Sequence, residues 1–187
     1  NGDGTFKIVR ETGLPAVIDG SVEEVDVNDD GKVDLIVLGS TGHPGDPAGG
    51  RLLQVFHGKG DGTFSKDTQQ TYMRIPNNPS CMVPVFNGDV GAGDLDGDGD
   101  IDLVVAGNDN DRSLYVYVNE EGRYSYIDLD KMKHGLGATG SSGNSESDAI
   151  TDCNVIVSDI DGDGHNDIVI NGRGGSAQVL VFQNEVE

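Results

Sequence analysis

The sequence predicts an all-β fold assembled from repeated four-stranded antiparallel units, and three observations carry that reading. Short segments rich in Val, Ile, Leu and Tyr, bounded by Gly, Asp and Asn, recur along the chain, each too short for a helix. No stretch sustains a 3.6-residue apolar period, so almost no helix is expected. The segments also repeat in fixed order, which defines an architecture before any local feature does. Val25–Gly39, Gly93–Gly107 and Ser158–Gly172 align, their first aspartates Asp26, Asp94 and Asp159 lying 68 and 65 residues apart. A second strand-like element follows each: Leu52–Phe56, Leu114–Val118 and Val179–Phe182. A glycine turn entering an aromatic comes next, at Gly60–Phe64 and Glu121–Tyr124, and the same turn opens the chain at Asn1–Phe6. The unit is strand, acidic loop, strand, connection, strand, tight turn, strand, which is the plan of a β-propeller blade. The chain therefore reads as one propeller segment over 1–187, with repeats at approximately 1–58, 59–118 and 119–187.

The phase of the repeat bears on completeness. Asn1 corresponds to Lys59, Asn119 and Asn184, so the chain starts just before a fourth strand and stops just after a third. That phase suits a ring in which the N-terminal strand completes the last blade. Propellers carry four to eight blades, and three alone leave open sheet edges. The expectation is self-association that completes a ring, or a longer parent of which this chain is an excerpt. The Gly/Ser/Pro-rich stretches His43–Gly50, Asn77–Ser80 and Gly135–Ser147 read as inter-strand loops, the places where binding residues gather in such folds.

Composition narrows the function. The 187 residues hold 12 Lys+Arg against 33 Asp+Glu, a net charge of -21. So acidic a chain has too few cations to neutralise phosphates, which argues against nucleic acid and against docking on anionic membranes. No apolar run approaches the roughly 20 residues of a spanning helix, so direct membrane insertion is not expected. Cys81 and Cys153 leave both a disulfide and a pair of buried thiols open.

The acidity is concentrated in the repeated loops. Oxygen-bearing side chains stand at positions 1, 3, 5 and 9: Asp26, Asn28, Asp30 and Asp34; Asp94, Asp96, Asp98 and Asp102; Asp159, Asp161, Asp163 and Asp167. Carboxylates crowded into nine residues repel one another unless a cation sits among them. Hard oxygens on a flexible loop suit calcium, which takes six to eight oxygens, better than magnesium with its strict octahedron. Gly31, Gly99 and Gly164 at position 6 let the backbone turn, and the carbonyls of Lys32, Asp100 and His165 at position 7 are the expected backbone ligands. Asp29, at position 4, should point outward. An EF-hand is excluded, because position 12 is Val37, Val105 or Ile170 instead of a bidentate carboxylate, and the flanks are strands. About three Ca2+ per chain are expected, the first site weakest because an amide replaces one carboxylate.

The pattern Asp94-x-Asp96-x-Asp98-Gly99-x-x-Asp102-Leu103-Val104-Val105, with turns such as Gly60-Asp61-Gly62-Thr63-Phe64, resembles the FG-GAP/VCBS repeat family. These repeats build integrin α-subunit propellers and occur in many secreted bacterial and fungal proteins; Gly91-Ala92-Gly93-Asp94 resembles the Gly-rich approach of the integrin repeats. The resemblance covers nearly the whole chain. It implies a calcium-stabilised propeller, and the first functional expectation is an extracellular or cell-surface module for protein or glycan binding or adhesion, without catalysis. Related propellers also occur in carbohydrate-active enzymes, which makes a polysaccharide lyase or sugar dehydratase the second reading and a plain scaffold the third. The residues give an enzyme little. His43, His57, His134 and His165 are scattered over different repeat positions, and His57 reads as a surface or turn residue. Arg51, Lys131 and Lys133, near His43 and His134, are the candidates for an anionic-sugar site. There is no Gly-x-Ser-x-Gly elbow and no His-Glu-x-x-His helix. Tyr115, Tyr117 and Tyr124 read as packed strand residues.

Overall fold

The computed structural model describes residues 4–42, 50–69, 82–108, 114–127, 151–174 and 176–184. Cys81, His43, His134, Lys131, Lys133 and most of the three long loops lie outside the described residues. Within them the chain is all β, with no helix. The strands are β1 Ile18–Val25, β2 Asp34–Ser40, β3 Arg51–Gly58, β4 Phe64–Lys66, β5 Phe86–Gly93, β6 Asp102–Asn108, β7 Leu114–Glu120, β8 Arg123–Ile127, β9 Thr151–Ser158, β10 Asp167–Gly174 and β11 Ser176–Phe182. They form three antiparallel sheets in the orders β1-β2-β3-β4, β5-β6-β7-β8 and β11-β10-β9. These are propeller blades in succession, with the first strands β1, β5 and β9 side by side.

The second strand of blades 1 and 2 is an unbroken apolar run because both its faces are covered. On β2, Ile36 and Leu38 turn one way and Val37 the other, and all three are buried. Ile36, Leu38, Leu53 and Val55 of blade 1 pack on Val90, Leu103, Val105, Tyr115 and Tyr117 of blade 2. The opposite face of blade 2, with Val104, Ala106 and Val116, packs on Cys153, Val155, Ile168 and Ile170 of blade 3. Tyr115, Tyr117 and Tyr124 are buried strand residues, and the Tyr117 hydroxyl accepts the Val83 N–H at 2.8 Å. Arg51 lies 4.6 Å over the Phe86 ring, so its guanidinium is engaged at the blade 1 rim. Cys153 is a buried thiol that burial pushes up to about 11.

Two backbone devices recur with the repeat. The first strand of every blade has an Asx residue in the left-handed region at equivalent positions, Asp19, Asn87 and Asp152 (φ 51, 46 and 50°), and its register slips at that point in all three blades. Such a bulge bends the strand and raises its twist. The second device is a close approach between blades. A Cβ on Gly91 would stand 2.9 Å from Val155 Cγ1, and one on Gly93 would stand 2.6 Å from Val157 Cγ1.

Blade 3 ends in an open flank. Val27, Leu95 and Ile160 are equivalent, yet their exposures are 8, 6 and 53%. Val55, Val116 and Val181 repeat the pattern at 1, 0 and 56%. The face that the next blade covers in blades 1 and 2 therefore meets solvent in blade 3, where Ile156, Val179 and Val181 lie exposed. Residues 5–12, whose turn reads in the sequence as the entry to a fourth strand, carry no strand. They run beside blade 1, where the Phe64 N–H donates to the Thr12 carbonyl at 2.8 Å, and Phe6 and Ile8 are exposed.

Candidate metal centres

All three acidic loops join the first strand of a blade to the second, so they share one end of the stack. Their winding follows one scheme. The position 1 carboxylate collects backbone N–H groups from within its own loop. Asp26 accepts from Asp30 at 3.1 Å and Gly31 at 2.7 Å, Asp94 from Gly97 at 2.7 Å and Gly99 at 3.1 Å, and Asp159 from Gly162 at 2.7 Å and Gly164 at 3.0 Å. Positions 4 and 6 take left-handed φ to allow this: Gly97 and Gly99 in loop 2, Gly162 and Gly164 in loop 3. Loop 1 departs here, because Asp29 holds position 4 at φ 54°.

Position 9 is a clamp. Asp34, Asp102 and Asp167 are fully buried or nearly so. One oxygen of each accepts the N–H of position 2: Val27 at 3.3 Å, Leu95 at 2.7 Å and Ile160 at 3.0 Å. The other accepts from the end of the third strand or just beyond it: Gly58 at 2.7 Å, Asn119 at 2.8 Å and Asn184 at 2.8 Å. Each carboxylate thus fastens loop to sheet, and an orphaned buried N–H costs about 1–3 kcal/mol. The bonds equate Gly58, not Lys59, with Asn119 and Asn184.

The structure draws positions 1, 3 and 9 together. In loop 2, Asp94, Asp96 and Asp102 each offer an oxygen within 4.8 Å of the others, and in loop 3 Asp159, Asp161 and Asp167 do the same. Oxygens bound to one cation at 2.3–2.6 Å stand no more than about 5 Å apart, so both clusters fit a single hard ion. The electrostatics of loop 2 favour one. Burial pushes the Asp102 carboxyl up to about 7, and burial followed by the charges of Asp98 and Asp94 raises Asp96.

Position 5 is used differently. Asp30, Asp98 and Asp163 accept the backbone N–H of position 7, from Lys32 at 2.9 Å, Asp100 at 2.8 Å and His165 at 2.9 Å, and Asp98 also lies beside Asp96 of its triad. Loop 1 carries Asp26, Asn28 and Asp34 at the equivalent positions, with Lys32 and His57 beside them. Lys32 Nζ lies 2.6 Å from Asp30 Oδ2, and that bond pulls the Asp30 carboxyl below its ordinary range. His57 Nδ1 lies 3.3 Å from Asp34 Oδ2 and 3.2 Å from Asn28 Nδ2. His57 is therefore a half-buried neighbour of this loop and not a plain turn residue.

Residues 94–170 match the family model of the FG-GAP-like repeat. That stretch is an FG-GAP-like repeat. It opens on Asp94, the first residue of loop 2, and closes on Ile170 in β10, so this FG-GAP-like repeat contains both carboxylate triads. No curated protein matches the chain. The FG-GAP-like repeat and its neighbouring blade make the chain a β-propeller-like module, and among the described residues no helix is long and apolar enough to cross a membrane.

Proposed function

We propose that the chain is a calcium-binding, extracellular propeller module that recognises a protein or glycan without chemistry, its ions fixing the loops at one end of the blades. The observation that carries this reading is the convergence of three carboxylates in each of loops 2 and 3. Such clusters hold an ion through hard oxygens at a flexible turn, which is calcium's preference. The position 9 carboxylates already serve the fold, so the ion adds rigidity to loops with few apolar contacts of their own.

Asp94, Asp96 and Asp102 would hold one ion, Asp159, Asp161 and Asp167 a second, and Asp26, Asn28 and Asp34 a weaker third. A partner of the same kind is a second copy set against the open flank of blade 3, where Val181, equivalent to the buried Val55 and Val116, lies exposed beside Ile156 and Val179. Calorimetric titration of chelator-stripped protein with calcium chloride tests the metal reading. Two tight ions and a weaker third per chain are expected, with magnesium unable to compete at equal concentration. One ion or none overturns it. A glycan array probed in calcium then tests recognition: saturable binding without a new product supports the module, and turnover overturns the non-catalytic reading.

A further inference from the structure

We propose that loops 2 and 3 bind their ions as a coupled pair, with Asn166 and Asn184 as the positioning residues that join them, while loop 1 binds independently. This rests on the metal reading above. Asn166 is position 8 of loop 3, and its Nδ2 donates to the backbone carbonyl of Asp94, the first residue of loop 2, at 2.8 Å. Asn184 donates its backbone N–H to Asp167 Oδ1 at 2.8 Å and, through Nδ2, to the carbonyl of Leu95 at 2.7 Å. The Leu95 N–H in turn donates to Asp102 Oδ2 at 2.7 Å. A continuous chain therefore runs from the clamp of loop 3, Asp167, through Asn184 and Leu95 to the clamp of loop 2, Asp102. A parallel link runs from Asn166 to the backbone of Asp94.

The first pair of loops has no such link. Position 8 of loop 2 is Ile101, an apolar residue packed against the core, and Asn119 Nδ2 turns to the Ile101 carbonyl of its own blade at 3.2 Å. Among the described residues no side-chain amide of blade 2 reaches the carbonyl of Asp26 or Val27. Where an ion fixes Asp159, Asp161 and Asp167, it also fixes the backbone that carries Asn166 and Asn184. Those amides then hold Asp94 and Leu95 in the binding arrangement, and loop 2 no longer has to be ordered by its own ion. Coupling of this kind is reciprocal, so each ion raises the affinity for the other by one factor, typically about 5- to 150-fold.

The test uses calcium titration of the full chain with loop 1 silenced by Asp26→Asn. Two ions should then bind with a Hill coefficient above 1. Adding Asp159→Asn should leave one ion bound at least about fivefold more weakly, and adding Asp94→Asn instead should weaken loop 3 by the same factor. A general loss of structure does not produce that equality. Replacing both Asn166 and Asn184 by Ala should bring the Hill coefficient to 1 with both ions still bound, and thermal melts in calcium verify that this variant is folded. Two ions binding independently, with each affinity indifferent to the other site, would overturn the coupling and leave the metal reading intact. Absence of binding at both loops would overturn the two together.

Discussion

The junction between blades 1 and 2 and the junction between blades 2 and 3 are built from the same repeat positions, yet they close differently. At the second, Gly91 and Gly93 let the backbone of β5 lie against Val155 and Val157, and two amides cross between the loops. At the first, the positions of Gly91 and Gly93 are taken by Glu23 and Val25. The loops are there separated by a cleft of about 450 Å³, lined among others by Asp26, Asn28, His57, Asp100 and Glu121. Small residues and amides thus draw two acidic loops together, whereas bulkier side chains and carboxylates hold the other two apart. The position 9 clamp is common to all three loops, so the fold does not depend on which style of junction is used.

The largest effect expected from this contrast is that of ion removal. An ion bound only by the folded state adds about 2.7 kcal/mol at hundredfold excess over its Kd. Stripping the two tight sites should therefore lower Tm by on the order of 10 °C or more. In calorimetric melts, Asp94→Asn should forfeit more of this calcium-dependent gain than Asp26→Asn. Equal losses would erase the distinction between the loops.

The close approach is next. Gly93→Ala places a Cβ 2.6 Å from Val157 Cγ1, and overpacking of this kind costs about 1–3 kcal/mol in urea unfolding. Val25→Ala at the equivalent place creates no clash and only trims a partly buried side chain. If Gly93→Ala were the milder change, the two junctions would not differ in spacing.

Asp29→Gly sharpens the comparison of loops 1 and 2. Relief of the left-handed φ at position 4 should stabilise metal-free protein by about 0.5 kcal/mol, measured by thermal melts. A loss of stability would show that the Asp29 side chain supports its loop.

The smallest effect concerns Glu23. Burial first, then the charges of Asp89 and Glu24, raise its carboxyl above the ordinary value. The folded chain therefore holds this proton more tightly than the unfolded chain. Its ionisation opposes folding increasingly as pH climbs from the unfolded value through the folded one. Glu23→Gln should stabilise by a few tenths of a kcal/mol at pH 7 after solvent screening, with the gain vanishing below about pH 4. A gain independent of pH would point to packing instead of charge.

Much of this was legible in the sequence. Alternating aliphatics and the 1, 3, 5, 9 spacing announce the strands, the blades and the acidic loops, because period-2 burial and ligand geometry leave regular marks. Position 9 was legible as an acid but not as a clamp, since its two backbone donors lie 7 residues back and 17 or 24 residues onward. The convergence of positions 1, 3 and 9 depends on where the turn at Gly99 or Gly164 aims each side chain. The role of His57 was hidden because only the pairing of β3 with β2 carries it to Asp34. The bulges at Asp19, Asn87 and Asp152 leave only an Asx residue in register, a weak sign amid so many aspartates.

The open flank of blade 3 has a consequence for how the molecule comes apart. In a stack where each unit touches only its neighbours, stability is close to a sum of unit and junction contributions. Blade 2 lies between two junctions, whereas blade 3 has one and shows an uncovered aliphatic face on its other side. Amide hydrogen exchange should then run as a gradient, slowest along β6 and fastest along β11, with opening that starts at the uncovered end and moves inward. Covering that face would change the direction of unzipping as well as its cost, and β11 would no longer be where the chain first lets go.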